Sequence, residues 1–430
     1  MKANIDISTK NGILLKNGLI IDVIKEKSFE NDILIIDGKI KKIGDIQTNK
    51  DYHIIDCKDK IITQSFIDIG ANFKTPGIGD QETLKSGSIS ALAGGFTKIC
   101  IVSSRENLID SPEIVKSLAN SSKELPIEIY PICSVTKNNE GLELTEMGLM
   151  KDNGAVAFYD DNSPLMNAQV LRYALEYSKM FNIPVMNHPE DLNLVNKGLI
   201  NESAHSNSMG LNGNPTISES IMINRDLAIA NYVKGRIHIP NVTCASSIDI
   251  IEKYKKNNKL ISCNTSPHHL YFTDSDLLDF NTNLKVSPPI RSDKDRLKLI
   301  EAVRSGIIDS ISSNHNPHRI DDKEKDFQNA EQGIIGLETS FSVAHTILSS
   351  SNMPIENIIN LFSKNPAKIM NLKLNEIKIN ENSELTIIDP NKKWKFTKDN
   401  IYSKSSNSPF LNETLKGRID YTINKNILFG

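Results

Sequence analysis

The side chains in this sequence with the chemistry to act on a substrate are histidines and carboxylates, and several stand in short motifs. Asp160-Asp161 sets two carboxylates side by side after the apolar run Ala155-Val156-Ala157-Phe158. Asn187-His188-Pro189-Glu190-Asp191 brings an imidazole within two residues of an acid, and His238, His268-His269, His315 and His318 complete the set. Imidazole nitrogen and carboxylate oxygen hold zinc-type divalent ions, and the same groups shuttle protons near neutral pH. Each has a plainer reading. His188 is a ligand or a strand-end histidine held by Glu190 or a carbonyl. Asp160-Asp161 exchanges protons or closes a satisfied polar loop. Arg291, after Pro288-Pro289, clamps a substrate or anchors a loop through an internal ion pair.

These groups need elements to position them. The run 60–67 ends in Asp68 and enters a polar loop closed by Pro76-Gly77, the pattern of a buried strand delivering a loop to one end of a sheet or barrel. From 61 to 372 that texture repeats. Strand-like runs fall at 98–102, 127–130, 155–158, 183–188, 236–239, 260–263 and 308–313, with helices predicted at 112–118 and 168–181. With the opening strand this makes roughly eight strand–helix units, which predicts the α/β class and a parallel (β/α)8 TIM barrel rather than an open doubly wound sheet. Residues 1–60 and 373–430 are β-textured, with the hairpin signal Asp37-Gly38 and the only tryptophan, Trp394, in the tail. The tail alone is a marginal core, so both chain ends are expected to build one small β-sandwich beside the 61–372 barrel.

Composition narrows the class. The chain has 430 residues, 39% hydrophobic and 24% charged, with a net charge of −3. That is too long for one ordinary core and too close to neutral to suggest nucleic acid or an anionic membrane as partner. The five cysteines (Cys57, Cys100, Cys133, Cys244, Cys263) are scattered with no C-x-x-C pair, which argues for reduced thiols in the cytoplasm and against a thiolate zinc site. Residues 1–6 lack the apolar region of a signal peptide, and no run approaches the ~18 apolar residues of a membrane span.

Taken in order, the motifs resemble the dihydroorotase branch of the cyclic amidohydrolases. Ala93-Gly94-Gly95-Phe96-Thr97, Gly154-Ala155-Val156-Ala157-Phe158 with Asp160-Asp161, and Asn187-His188-Pro189-Glu190-Asp191 match family motifs. So do Pro267-His268-His269-Leu270, Pro288-Pro289-Ile290-Arg291, His315-Asn316-Pro317-His318, Gly336-Leu337-Glu338 and the C-terminal stretch from Ser403 to Phe410. The likeness runs unbroken from about residue 10 to the end.

The resemblance implies a zinc site with ligand positions at Gly70, Asn72, Asp161 (Asp160 as runner-up), His188, Asn241 and Asn314, the last also the position of the catalytic aspartate. Glycine offers no donor and a carboxamide oxygen is a weak one, so two good ligands remain. No intact catalytic residue and no metal or other cofactor are expected. His268-His269 are structural hydrogen-bonders in the family. The substrate contacts it implies are Lys74 in place of arginine, Ser104 and Arg105, Ser287, His318, and the Gln332-Gly333 backbone. Drift towards asparagine accounts for Asn72, Asn241 and Asn314 singly, but not for Gly70, Ser104 and Ser287 falling on functional positions.

The expectation is therefore a catalytically inactive dihydroorotase-like protein of de novo pyrimidine synthesis, a structural subunit for aspartate carbamoyltransferase and itself a homo-oligomer. The alternative is an active zinc-dependent cyclic amidohydrolase with a metal site rebuilt around Asp160, Asp161, His188, His238 and His315. A third reading is a barrel whose altered pocket senses a pyrimidine intermediate.

Overall fold

The computed structural model describes residues 5–7, 12–48, 51–77 and 79–430; the stretch 1–6, expected to lack a signal peptide's apolar region, lies mostly outside them. Eight parallel strands follow one another around the barrel in chain order: Phe66–Ala71, Phe96–Val102, Glu128–Cys133, Ala157–Phe158, Val185–Met186, Ile237–Ile239, Ile261–Thr265 and Ser310–Ile311. Every residue of Phe96–Val102 is buried, as expected for a strand covered on one side by helices and on the other by barrel packing. The predicted helices form at Pro112–Ser121, capped by Ser111 with Pro112 in the first turn, and at Ala168–Lys179, capped by Asn167.

The first and last strands are joined by few backbone bonds. The Asn72 amide donates to the His315 carbonyl at 2.8 Å. Beside it the buried Asp68 carboxylate accepts from Ser312 Oγ at 3.0 Å, the Ser313 amide at 2.6 Å and Ser313 Oγ at 2.7 Å. At the opposite end Phe66 packs against Phe96, Phe341 and Phe362, with ring centroids 5.3–5.7 Å apart, and plugs the barrel floor.

The second unit is a nine-stranded sheet built from both chain ends. Strand Ile13–Asp22 pairs antiparallel with Lys27–Ile36 and parallel with both His53–Asp56 and Ile61–Gln64. The C-terminal strands Glu384–Lys395 and Thr414–Asn424 join through Ile61–Gln64. The sheet wraps a separate core of Leu15, Ile20, Ile33, Ile62, Leu385, Ile387 and Ile423. The Asp37-Gly38 turn has left-handed φ at both residues, 51° and 68°, as the hairpin signal requires.

The boundary expected between residues 60 and 61 is corrected by this sheet. The run 60–67 is two strands broken at Ser65: the Ser65 amide donates to Glu384 in the small sheet, and the next amide, Phe66, donates to Gly95 in the barrel. Ile61–Gln64 is buried throughout, so no alternation in the sequence marks where the chain changes sheets. A second departure is the segment from Leu192 to Asn214, where two short helices and a two-stranded ribbon precede the long helix Thr216–Val233.

Replacing Asp68 by alanine leaves three donors without an acceptor at the barrel seam. Asp68→Ala is expected to lower unfolding free energy by roughly 3–5 kcal/mol. Urea midpoints at unchanged m-value read it; a loss below about 1 kcal/mol would mean the seam is held elsewhere.

Candidate functional site

The strands deliver their C-terminal ends to one mouth, where a narrow pit is lined by Gly70, Asn72, Asp161, Asn241, Ser287, Asn314, His315, Gln332 and Gly333. Lys74, Ser104, Arg105 and His318 line a wider vestibule above it, shared with Asn72, Asp161 and Gln332. The sequence-derived positions thus converge, with one exception. His188 is buried behind the wall and lines neither space.

Its ring is occupied. His188 Nε2 stands 2.7 Å from Glu190 Oε2, Ser287 Oγ donates to the same oxygen at 2.8 Å, and His188 Nδ1 faces the Tyr159 hydroxyl at 3.4 Å. Glu190 further accepts from Asn214 Nδ2 at 2.5 Å. Burial opposes its charge, but His188, Arg291 and Ser287 outweigh burial and bring Glu190 down to about 2. Arg291 is an anchor behind this pair: its guanidinium donates to the Asn214 carbonyl at 2.7 Å and to Thr243 Oγ1 at 3.2 Å, and lies 3.9 Å from Glu219.

At the fourth strand the two aspartates divide. Asp160 turns inward and accepts from the Val135 amide at 2.6 Å, the Thr136 amide at 3.1 Å and the Thr136 hydroxyl. Asp161 faces the pit, half-buried, and burial raises its carboxyl to about 6 against the opposing pull of His188 and Lys74. Asp161, Asn241, Asn314 and Lys74 all have left-handed backbone, φ 46–51°. Asparagine and aspartate tolerate that conformation; lysine does so at a cost, and such residues gather at functional sites.

The donor set does not fit a zinc ion. Gly70 has no side chain, and a Cβ there would stand 2.8 Å from Ser312 Oγ. Asn72 Oδ1 accepts from the Lys74 amide at 2.8 Å, closing its own loop. Asn241 and Asn314 offer neutral carboxamides, and Asn314 has no accessible basic pKa with which to move a proton. Of the rival set only Asp161 and His315 line the pit. His238 bonds Ser262 Oγ at 2.9 Å in the barrel wall and burial lowers it to about 3, while His315 Nε2 meets Glu82 at 3.3 Å and its Nδ1 accepts from the Gly336 amide at 3.2 Å. Among the described residues no three His, Cys, Asp or Glu side chains group to hold a metal. His268 and His269 share Ser266 Oγ at 2.9 and 2.6 Å, and His269 Nε2 reaches the Pro288 carbonyl at 2.9 Å.

Sequence reasoning missed the residues that hold the loops. Glu82 accepts from the Ser403 hydroxyl, the Lys404 amide and His315, so the C-terminal stretch clamps the first barrel loop. Buried Lys285 donates to the Gln328 and Ala330 carbonyls at 2.9 and 2.7 Å, and Lys323 to Glu331 at 2.6 Å, fixing the loop that carries Gln332 and Gly333. His318 Nε2 donates to the Gln332 carbonyl at 3.0 Å. Glu82, one residue ahead of a Thr83 helix cap, was the one legible signal.

Residues 59–247 match the family described as Dihydro-orotase-like. The chain is 41% identical over 415 residues to a dihydroorotase of Caldicellulosiruptor saccharolyticus, covering 96% of each, and 37% identical over 412 residues to a dihydroorotase of Aquifex aeolicus, covering 96% of this chain and 97% of that one. Its fold superposes on a D-hydantoinase with TM-score 0.83 at 19% identity, covering 97% of this chain and 95% of that one. It superposes equally, at 0.83 and 20% identity with the same coverage, on the L-hydantoinase (dihydropyrimidinase) of Arthrobacter aurescens.

Asp161 gives the site a pH signature. A carboxyl raised in the folded state binds its proton more tightly there than in the unfolded chain, so its ionisation weakens the fold as pH rises from 3.8 to about 6. Asp161→Asn keeps the left-handed backbone and removes that penalty. The variant is expected to be more stable than the parent at pH 7–8 by roughly 1–2 kcal/mol after solvent screening, with the gain gone below pH ~4. Thermal or urea unfolding across that range measures it; an Asp161→Asn variant less stable at pH 7.5 would mean the carboxylate has a partner.

Proposed function

This chain belongs to the dihydroorotase-like family, and on that premise we propose that it is a member without ring-opening chemistry, a pseudoenzyme kept for its shape in pyrimidine synthesis. Opening a cyclic amide near neutral pH calls for a strong nucleophile and for charge stabilisation at the carbonyl oxygen, which a zinc-bound water at pKa about 7 supplies in metal hydrolases. The observation that carries the reading is the donor set of the mouth. Gly70, Asn72, Asn241 and Asn314 furnish neither imidazole nor carboxylate, and His188 is bonded to Glu190. Asp161 and His315 are the pit's one carboxylate and one imidazole, and among the described residues no third His, Cys, Asp or Glu joins them to hold a metal.

A subunit without chemistry is retained when a partner needs its surface. The partner in this proposal is aspartate carbamoyltransferase, which makes the open-chain precursor of the ring that dihydroorotases close. The clamped loops support this role: Glu82, Lys285 and Lys323 tie the mouth loops down by internal bonds, which gives a partner a fixed surface.

The opposing reading, an active dihydroorotase, draws on the names of the relatives, which are dihydroorotases along 96% of this chain. One preparation separates the two. The purified full-length protein, given excess zinc and then dialysed, is expected to keep far less than one ion per chain and to leave dihydroorotate unopened. Stoichiometric zinc with ring opening would overturn the proposal. Co-expression with the transferase of the same organism is expected to yield a complex on gel filtration; two separate peaks, with full transferase activity in one, would remove the scaffold role.

A further inference from the structure

Where the small sheet meets the barrel, a second cavity shares no lining residue with the pit or the vestibule. Its walls are aromatic: Trp394, Tyr402, Tyr421 and Phe429, with Tyr402 edge-on to Phe429 at 5.2 Å between ring centroids. Two opposite charges line it as well. The half-buried Arg418 holds its guanidinium 5.5 Å from the Trp394 centroid, and among the described residues it makes no ion pair and no side-chain hydrogen bond. Glu338 is buried, and its Oε1 accepts from the Tyr402 and Ser403 amides at 3.2 and 3.0 Å. A carboxylate with two donors on one oxygen has lone pairs for a further donor on the other. The cavity's other acid is already spent, because Asp420 pairs with Lys60 at 2.8 Å and with Lys392 at 3.3 Å.

We propose that this cavity binds a small zwitterion of the α-amino acid class, with its carboxylate on the Arg418 guanidinium and its ammonium on Glu338. The ligand's side chain lies against the aromatic walls. Arg418 and Glu338 line one space and form no ion pair with each other, so a gap separates two unspent charges. A simple anion would satisfy Arg418 and meet Glu338 as a like charge; a simple cation would do the reverse. A ligand that carries both ends pairs both. A guanidinium stacked on an indole keeps its planar fork of N–H donors turned to a carboxylate, and aromatic faces attract an ammonium as they do an apolar side chain. Aromatic walls with a few converging polar groups are the usual make-up of a small-molecule site. The two charges come from different units: Arg418 from the small-sheet strand Thr414–Asn424, and Glu338 from the loop before the barrel helix Ser340–Ser350. The inference goes beyond the silent-site reading and does not depend on it.

Trp394 is the only tryptophan of the chain, so its fluorescence reports on this cavity. The full-length protein is titrated with each standard L-amino acid, followed by fluorescence and by calorimetry. At least one is expected to bind saturably and shift the Trp394 emission, with half-saturation at or below about 1 mM. Acetate and methylammonium, which each carry one end of the ligand, are expected to give neither signal. Arg418→Gln and Glu338→Gln are each expected to weaken binding roughly tenfold or more, and Arg418→Lys, which keeps the charge without the fork, to weaken it less. Glutamine at 338 retains an oxygen for the two amides, and unfolding midpoints equal to the parent's show that the variants fold. No binding by any amino acid, acetate or methylammonium binding as tightly as the whole ligand, or an Arg418→Gln variant that binds like the parent would each overturn the proposal. Zinc content, ring opening and association with the transferase do not bear on it, so the two proposals fail separately.

Discussion

A carboxylate buried at the end of a barrel strand must be surrounded by donors, and at this mouth that requirement holds the loops in place. Asp68 takes the hydroxyls and amide of Ser312 and Ser313, Asp160 the amides of Val135 and Thr136, and Glu219 the amides of Thr243 and Cys244. Glu190 takes His188, Asn214 and Ser287, and Glu82 takes His315 and the C-terminal stretch. Removing any one leaves several buried groups unsatisfied at once, each costing about 1–3 kcal/mol. These acids belong to the framework rather than to a reaction, and they persist in a chain whose expected reacting acid is Asn314.

That division keeps the framework of the mouth apart from the side chains that line its pit. The backbone there presents Lys74, Asp161, Asn241 and Asn314 in the left-handed region. Of these, Asn241 and Asn314 end in neutral carboxamides. His188, expected among the ligands, belongs to the framework, and its ring is bonded to Glu190. Ser287 donates to the same oxygen, so a position expected to touch substrate has become part of that internal pair.

The barrel was legible in the sequence because strand-like runs alternate with polar loops and turn residues, and the run positions overlap every strand from Phe96–Val102 to Ser310–Ile311. The break at Ser65 was not. A strand buried on both faces carries no period, and the change of partner happens between two consecutive amides. At the site, residue types revealed the missing ligands, since glycine and asparagine declare their chemistry wherever they sit. Where the surviving groups point was illegible. Asp160 and Asp161 are adjacent in the chain and opposite in role, and only the register of the fourth strand decides which faces the pit.

Restoring a metal site here would take more than exchanging side chains. A histidine at position 70 needs a Cβ where Ser312 Oγ stands 2.8 Å away, and that hydroxyl is bonded to Asp68 at 3.0 Å, so the first ligand collides with the barrel seam. A histidine at 72 would withdraw the carboxamide oxygen that accepts the Lys74 amide and steadies a lysine in left-handed backbone. A freed His188 would leave Glu190 buried among Asn214 and Ser287 without its imidazole partner. Gly70, Asn72 and His188 thus each sit among contacts that the loops use. A ligand set rebuilt at these positions would break internal bonds that hold the mouth, at a cost in stability.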